Sequence, residues 1–550
     1  MLRRGVAEDS KGATAGRPWG STRYRVSSIM RLFDRPLLTR LTDEFRVSMR
    51  RLLQDLCREL QTDYPSLSSR LALPVGLFQQ LSRSLELEHY SGWKIVGWIE
   101  TLNDLVYFLD ILQQWHQEQD RREFAEQLFA ECQETFFEHR YQADLFPSGR
   151  PGVAGLEGRL TRLCKRLAQE ATQEALFFDP LQTVKWSRRN GLSPWSVRGT
   201  LETNFERAEM EDTISVGPMG AWCEASQGIR EALTNGSHRM AIVVESNGLA
   251  MRVGRIVTPL WGHDSAEGEW LWGLQSVPTV QEAGDGSVTV GPTLVYGRDR
   301  HPQTVRLTAD TQVERLRRAW STIQDAWPEG YALLELLTSR IVPLKAKGVV
   351  SFSYRHRPGL SFINCFDRDN LDVIDDLIHE NSHHHLNLLL RKYVMYCGDH
   401  NQQIFYSPWR RSLRPLRGIL HATFTFTMGA MLFQRLSAWA SGPGGMSRWK
   451  KAGLTQQDLE RARFRCLEEV ASVRYSLQDL HYADRHLGWL TGSGRQCVGQ
   501  LEEAIGQVER ESERFEPDVL RSKFGQELRR HRNKLKRARM AYGPMRLREV

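Results

Sequence analysis

The segment Leu371–Leu390, LDVIDDLIHENSHHHLNLLL, sets four histidines and Glu380 within a run whose other members ask for burial. Val373, Ile374, Leu377, Ile378, Leu386, Leu389 and Leu390 recur at steps of three and four, the period of a helix with an apolar face. On such a helix His379 and His383 stand one turn apart on the same side. Two imidazoles so placed grip one divalent ion. Glu380, beside the first of them, then reaches a metal-bound water as general base or holds a ligand in place. The alternative is a pair of core histidines satisfied by backbone carbonyls. An unpartnered polar ring among leucines is costly either way, and a metal-binding helix is the reading adopted. His384 and His385 turn away from the His379/His383 face and are expected as outer supports or helix-surface residues.

The chain around this helix is long and ordinary in composition. Its 550 residues allow two to four domains or one large elaborated one. A hydrophobic content of 41% with 25% charged residues is that of a globular protein. No apolar run reaches the roughly 18 residues of a membrane span, so no membrane partner is expected. Eight cysteines are scattered without a CxxC pair, which predicts reduced, mostly buried thiols and a cytoplasmic location.

The periodicity divides the chain. Residues 1–26 are basic and polar without the apolar core of a secretion signal, and are expected to be a disordered leader. Residues 27–237 read as a helical N-terminal region. Residues 238–310 switch to alternation with Asn247-Gly248 and Asp285-Gly286 turns, predicting an antiparallel β insertion. Such an insertion offers an edge to an extended peptide, although a structural meander is the preferred reading. Helices return over 311–510, the HExxH metal-binding domain, and 511–550 form a basic helical tail. The expected fold class is mainly α with a β-rich insertion (α+β), built on a multi-helical metal-binding core that carries the HExxH helix. Residues 521 to 548 hold eleven Lys/Arg against Glu527 alone among acids. A basic helical tail suits nucleic acid or an acidic peptide, but without interleaved aromatics a solvated charged helix is the preferred reading, and nucleic acid is not the expected partner.

Two histidines bind a metal weakly, so a third ligand is needed. The extension HExxHxxGxxH is absent. Glu468 and Glu469 in RCLEEVASVRY are candidates. His421, near the start of the apolar RGILHATFTFTMGAMLF, is the stronger one, because an unpaired ring there is costly unless bound. Arg410, Arg411, Arg414 and Arg417 crowd the loop just before it. A guanidinium fork beside a metal suits a carboxylate, unless these side chains simply pair with Asp372, Asp375 and Asp376. Three protein ligands, a chelating keto acid and one open position describe a non-haem Fe(II) oxygenase, whose usual ligand set has a carboxylate in place of the third histidine.

The segments IVPL (341–344), PGLSFINCFD (358–367), LIHENSHHHLNLLL (377–390) and YSPWRRSLRPLRGILHATF (406–424), in this order and spacing, resemble the HExxH-motif peptide-modification family. Its members are also described as α-ketoglutarate-dependent HExxH-type peptide β-hydroxylases of ribosomal peptide (RiPP) biosynthesis. The resemblance spans roughly 315–480. It implies oxidation of an unactivated side-chain carbon of a precursor peptide, with Fe(II) and α-ketoglutarate as cofactors. Carried onto this chain, it implies His379, His383 and His421 as metal ligands, Arg410 or Arg414 on the cosubstrate, and Glu380 in support. The triple histidine and the long N-terminal half depart from a minimal member and leave the substrate open. Two other readings stand beside it: a Zn²⁺ hydrolase with Glu380 as base, and a non-catalytic peptide-binding scaffold.

Overall fold

The computed structural model describes residues 32–134, 136, 139–178 and 310–544, with eleven strand segments between Leu201 and Arg306. The leader read at residues 1–26 lies outside them. Among the described residues the chain is mainly helical with a smaller sheet portion. Helices of ten or more residues are α1 (Arg35–Thr62), α2 (Val75–Ser84), α3 (Trp93–Gln117), α4 (Arg121–Glu134), α5 (Leu156–Phe178), α6 (Asp310–Ala326), α7 (Pro328–Leu337), α8 (Asn370–Lys392), α9 (Leu416–Ser441), α10 (Gln456–Tyr482), α11 (Gly492–Ser512) and α12 (Gly525–Ala541). None is long and apolar enough to cross a membrane.

The histidine helix α8 starts at a reciprocal cap. The Asp369 carboxylate accepts from the Asp372 N–H at 3.0 Å, and the Asp372 carboxylate accepts from the Asp369 N–H at 3.3 Å. Two of the orphan donors of the first turn are thereby satisfied. The far end carries Arg391 and Lys392, cations suited to the negative end of the helix dipole. Both are tied to the N-terminal helices, Lys392 to Glu44 of α1 at 2.6 Å and Arg391 to Glu100 of α3 at 2.5 Å.

Leu371, Ile374, Leu377, Ile378, Leu386 and Leu389 of α8 join Ile419, Leu420, Phe424 and Met428 of α9 in one buried core. That core extends through Cys466, Val473 and Leu477 of α10 and Val498, Leu501 and Ile505 of α11. Each helix is apolar over the stripe it turns inward, which is why the periodicity read from sequence survives in the fold.

The strands depart from the sequence reading in two ways. They begin at β1 (Leu201–Asn204), β2 (Thr213–Gly217) and β3 (Gly220–Glu224), inside the stretch expected to be helical up to 237. Alternation there is short and broken by glycines, so the period gave little signal. The strands β4 (Arg239–Glu245), β5 (Gly248–Val253), β6 (Ile256–His263) and β7 (Trp270–Trp272) complete an antiparallel sheet in the order β1-β4-β5-β6-β7.

The remaining strands are β8 (Thr279–Gln281), β9 (Val288–Val290), β10 (Thr293–Tyr296), β11 (Pro302–Arg306), β12 (Arg340–Lys345), β13 (Phe352–Ser353) and β14 (Leu360–Asn364). They form a single mixed sheet in which β9 and β10 pair with β12 in parallel. The β insertion is therefore neither wholly antiparallel nor separate from the HExxH domain. Pairing of β12 with β14 aligns Arg340 to Leu360 and Leu344 to Asn364, and β14 feeds directly into the α8 cap.

A hairpin of β15 (Phe405–Ser407) and β16 (Ser412–Arg414) precedes α9. The basic tail is not a free solvated helix. Leu528, Leu535 and Ala538 of α12 are buried, against Phe464 and Leu467 in one cluster and Tyr475 in another, all on α10. Among the described residues Cys57, Cys132, Cys164, Cys365, Cys466 and Cys497 are buried free thiols, and Cys397 is exposed.

Candidate metal centre

The helical rise sets the first pair. The rings of His379 and His383 lie 5.0 Å apart, centre to centre, with planes at 80°. One nitrogen of each, together with a Glu380 carboxylate oxygen, falls in a cluster whose members all lie within 4.8 Å of one another. The ring of His421, near the start of α9, lies 6.2 Å from that of His383 and inclined to it by 30°; it stands next to this cluster but is not one of its members. All three rings are half-buried.

None of the three imidazoles makes a side-chain hydrogen bond among the described residues. Their neighbours on α8 behave differently. The Gly359 N–H donates to His384 Nδ1 at 3.3 Å, and Nε2 of that ring donates to the Ser361 hydroxyl at 3.1 Å. His385 donates from Nε2 to the Leu32 carbonyl at 2.7 Å. Both are buried, so of the two expected roles, outer support or helix surface, the surface one falls away; they anchor α8 to β14 and to the chain entering α1.

Burial lowers the pKa of His379 to about 4, helped by the charges of Arg465, Arg410 and Arg368. It lowers His383 to about 3, with His379, His384 and Arg410 adding to it. His421 falls to about 3 through burial, His383, Arg355 and Arg417. Three imidazoles neutral across the physiological range offer lone pairs rather than protons, the state a metal ligand requires. Glu380 is pushed the other way, to about 8, by burial and by Asp376 and Asp375, although the Ser353 hydroxyl donates to it at 2.7 Å. Without an ion this carboxyl is largely protonated at neutral pH.

The rest of the wall comes from the hairpin, α9 and α10. Phe426 lies 5.3 Å from His379, and Trp409 stacks on Phe426 at 4.3 Å with planes 5° apart. Trp409 Nε1 donates to Glu469 at 2.9 Å. Glu469 also pairs with Arg465 at 3.1 Å, and Arg465 reaches Asp375 at 3.2 Å. Glu468 pairs with Arg465 at 3.6 Å and His531 at 3.7 Å. Both glutamates proposed as alternative ligands are thus engaged with cations.

The loop arginines part company. Arg410 is exposed on the hairpin turn, yet its charge acts on both His379 and His383. Arg414 is exposed on β16, and its side chain covers Gly418 at the start of α9. The acids of α8 take other partners: Asp372 and Asp375 face Arg461 and Arg465, and Asp376 faces Arg368. Ser353, Arg465, Phe426 and Arg355 escaped the sequence reading. Only Arg465 left a trace there, three and four residues before Glu468 and Glu469.

Comparison of the chain with known protein families and with curated proteins finds no match.

Proposed function

We propose that the protein is an Fe(II)- and α-ketoglutarate-dependent hydroxylase acting on a side-chain carbon of a peptide. His379, His383 and His421 would hold the metal, and Arg410 would hold the keto acid. One observation carries the reading: the imidazoles of His379 and His383 share one cluster and that of His421 lies 6.2 Å from His383, all three kept neutral by burial and making no side-chain hydrogen bond among the described residues, with guanidinium charges acting on each. A donor set of neutral rings fits a divalent ion. The cations of Arg410, Arg355 and Arg417 beside it favour an anionic co-ligand.

When bound, the iron and keto acid supply a four-electron reduction of O₂: R–H, O₂ and α-ketoglutarate become R–OH, succinate and CO₂. The chain's own residues supply order. Ser353 fixes the Glu380 carboxyl beside His379, the Phe426–Trp409 stack closes one side against water, and Arg465 clamps Glu469 and Asp375 behind it. Second-sphere contacts of this kind orient ligands and set their basicity.

A zinc hydrolase remains the second reading, because the Glu380 carboxyl lies in the same cluster as the two α8 imidazoles, where a general base would stand. Anaerobic addition of Fe(II) and then α-ketoglutarate separates the two. The hydroxylase gives a visible charge-transfer band, and with O₂ and a substrate peptide it yields succinate and a product heavier by one oxygen. Peptide cleavage with Zn²⁺ alone, indifferent to the keto acid, would overturn it.

A further inference from the structure

We infer that the exposed face of α12 and the turn of the β15–β16 hairpin form one cationic track that receives an acidic segment of the peptide substrate; the inference rests on the peptide-hydroxylase reading above. Docking of Leu528, Leu535 and Ala538 on α10 fixes which way the helix faces. Arg529, Arg530, Lys534, Lys536 and Arg537 are left on its exposed side. Among the described residues none of these five has a carboxylate partner.

The far end of α12 is pinned to α10 and, just beyond the helix, to the hairpin. Arg539 pairs with Asp479 and stacks over Tyr475 at 3.7 Å. Tyr542 stacks on Tyr406 of β15 at 5.3 Å. Lys534 from the helix and Arg411 from the hairpin turn both act on His531 and on Glu468, so the two cations flank one spot. Arg410 is the residue just before Arg411, and its charge acts on His379 and His383. The cations thus run from α12 through Lys534 and Arg411 to the site.

At the spot between Lys534 and Arg411 the Glu468 carboxylate is already held by Arg465, whereas the five exposed cations of α12 have no carboxylate among the described residues, and an anionic segment would supply one. An acidic peptide fits better than nucleic acid. Helix α12 contains no Phe, Tyr or Trp on which bases would stack, and Tyr542 beyond it is already stacked.

The test is fluorescence anisotropy of labelled hexaglutamate, with hexaglutamine as the neutral control and short duplex DNA as competitor. The full chain should bind hexaglutamate with an affinity that falls as salt rises, and hexaglutamine should not bind. K534E/R537E, and separately R411E, should each weaken binding by about tenfold or more, with Fe(II) content and melting temperature unchanged. If the double variant melts early, R411E and the salt dependence of the unaltered protein decide. Absence of hexaglutamate binding, binding indifferent to both charge reversals, or DNA outcompeting hexaglutamate at equal charge would overturn the inference. Because the readout is binding, a protein that binds the acidic peptide but hydroxylates nothing retains the track and loses the hydroxylase reading.

Discussion

The ring of His421 stands 6.2 Å from that of His383 with planes 30° apart, so the first turns of α9 are brought against the middle of α8. That relationship adds a third imidazole to a pair that any HExxH helix would present. Each ring is neutral for the same reason, burial. Under the proposed function, each of the three substitutions removes a full donor.

Replacement of His421 by Ala is expected to weaken metal binding by more than the roughly 10–100-fold that loss of an outer partner costs. His379→Ala and His383→Ala should do at least as much. Metal content after dialysis against a weak chelator measures it. Full occupancy in His421→Ala would return the third position to Glu468 or Glu469, against their engagement with Arg465.

Glu380→Gln distinguishes the two chemistries. Loss of a general base lowers kcat by about 10²–10⁴, the result expected of a hydrolase, whereas the hydroxylase should keep most of its rate. The same variant has a pH signature in metal-free protein. The carboxyl titrates near 4.5 when unfolded and near 8 when folded. The unfolded chain releases that proton first, so the stability the folded acid contributes is complete below about pH 4.5 and is lost as pH rises towards 8. Melting curves across this window should show the decline in the parent, and a shallower decline in Glu380→Gln.

Arg410→Ala should raise KM for α-ketoglutarate by about 10–100-fold, the worth of a charge-assisted hydrogen bond, with metal content unchanged. Arg414→Ala should change it little, since that side chain lies over Gly418. Keto-acid titrations of both variants decide, and the reverse ranking would move the cosubstrate to the β16 side of the hairpin.

Arg539→Ala should destabilise the protein by about 1–3 kcal/mol, because Asp479 keeps no exposed side-chain surface and burial already raises it to about 6, so without Arg539 it is left as a buried carboxylic acid lacking its partner. Replacing both residues, as Asp479→Asn with Arg539→Met, should recover much of the loss. Chemical denaturation of the single and double variants measures the coupling.

Much of this protein is legible residue by residue. Helical periodicity located α8, α9, α10 and α11 because each buries one stripe, and the i, i+4 spacing of His379 and His383 follows from helix geometry alone. Strands were harder. The short β1, β2 and β3 lack sustained alternation, and the sheet that joins β9 and β10 to β12 depends on pairing between segments far apart in the chain. The basic tail misled for a related reason: its charges dominate composition, while Leu528, Leu535 and Ala538, the residues that dock it, are few.

The sequence by itself determined the helices and the two-histidine turn, since both depend on contacts within a few residues. Tertiary structure alone decided that His421 faces His383, that Arg465 occupies Glu468 and Glu469, that Ser353 meets Glu380, and that His384 and His385 serve as anchors. Those outcomes depend on which helix faces pack together and how much water they exclude. Burial of that kind sets the protonation of an imidazole or a carboxyl, and no local pattern encodes it.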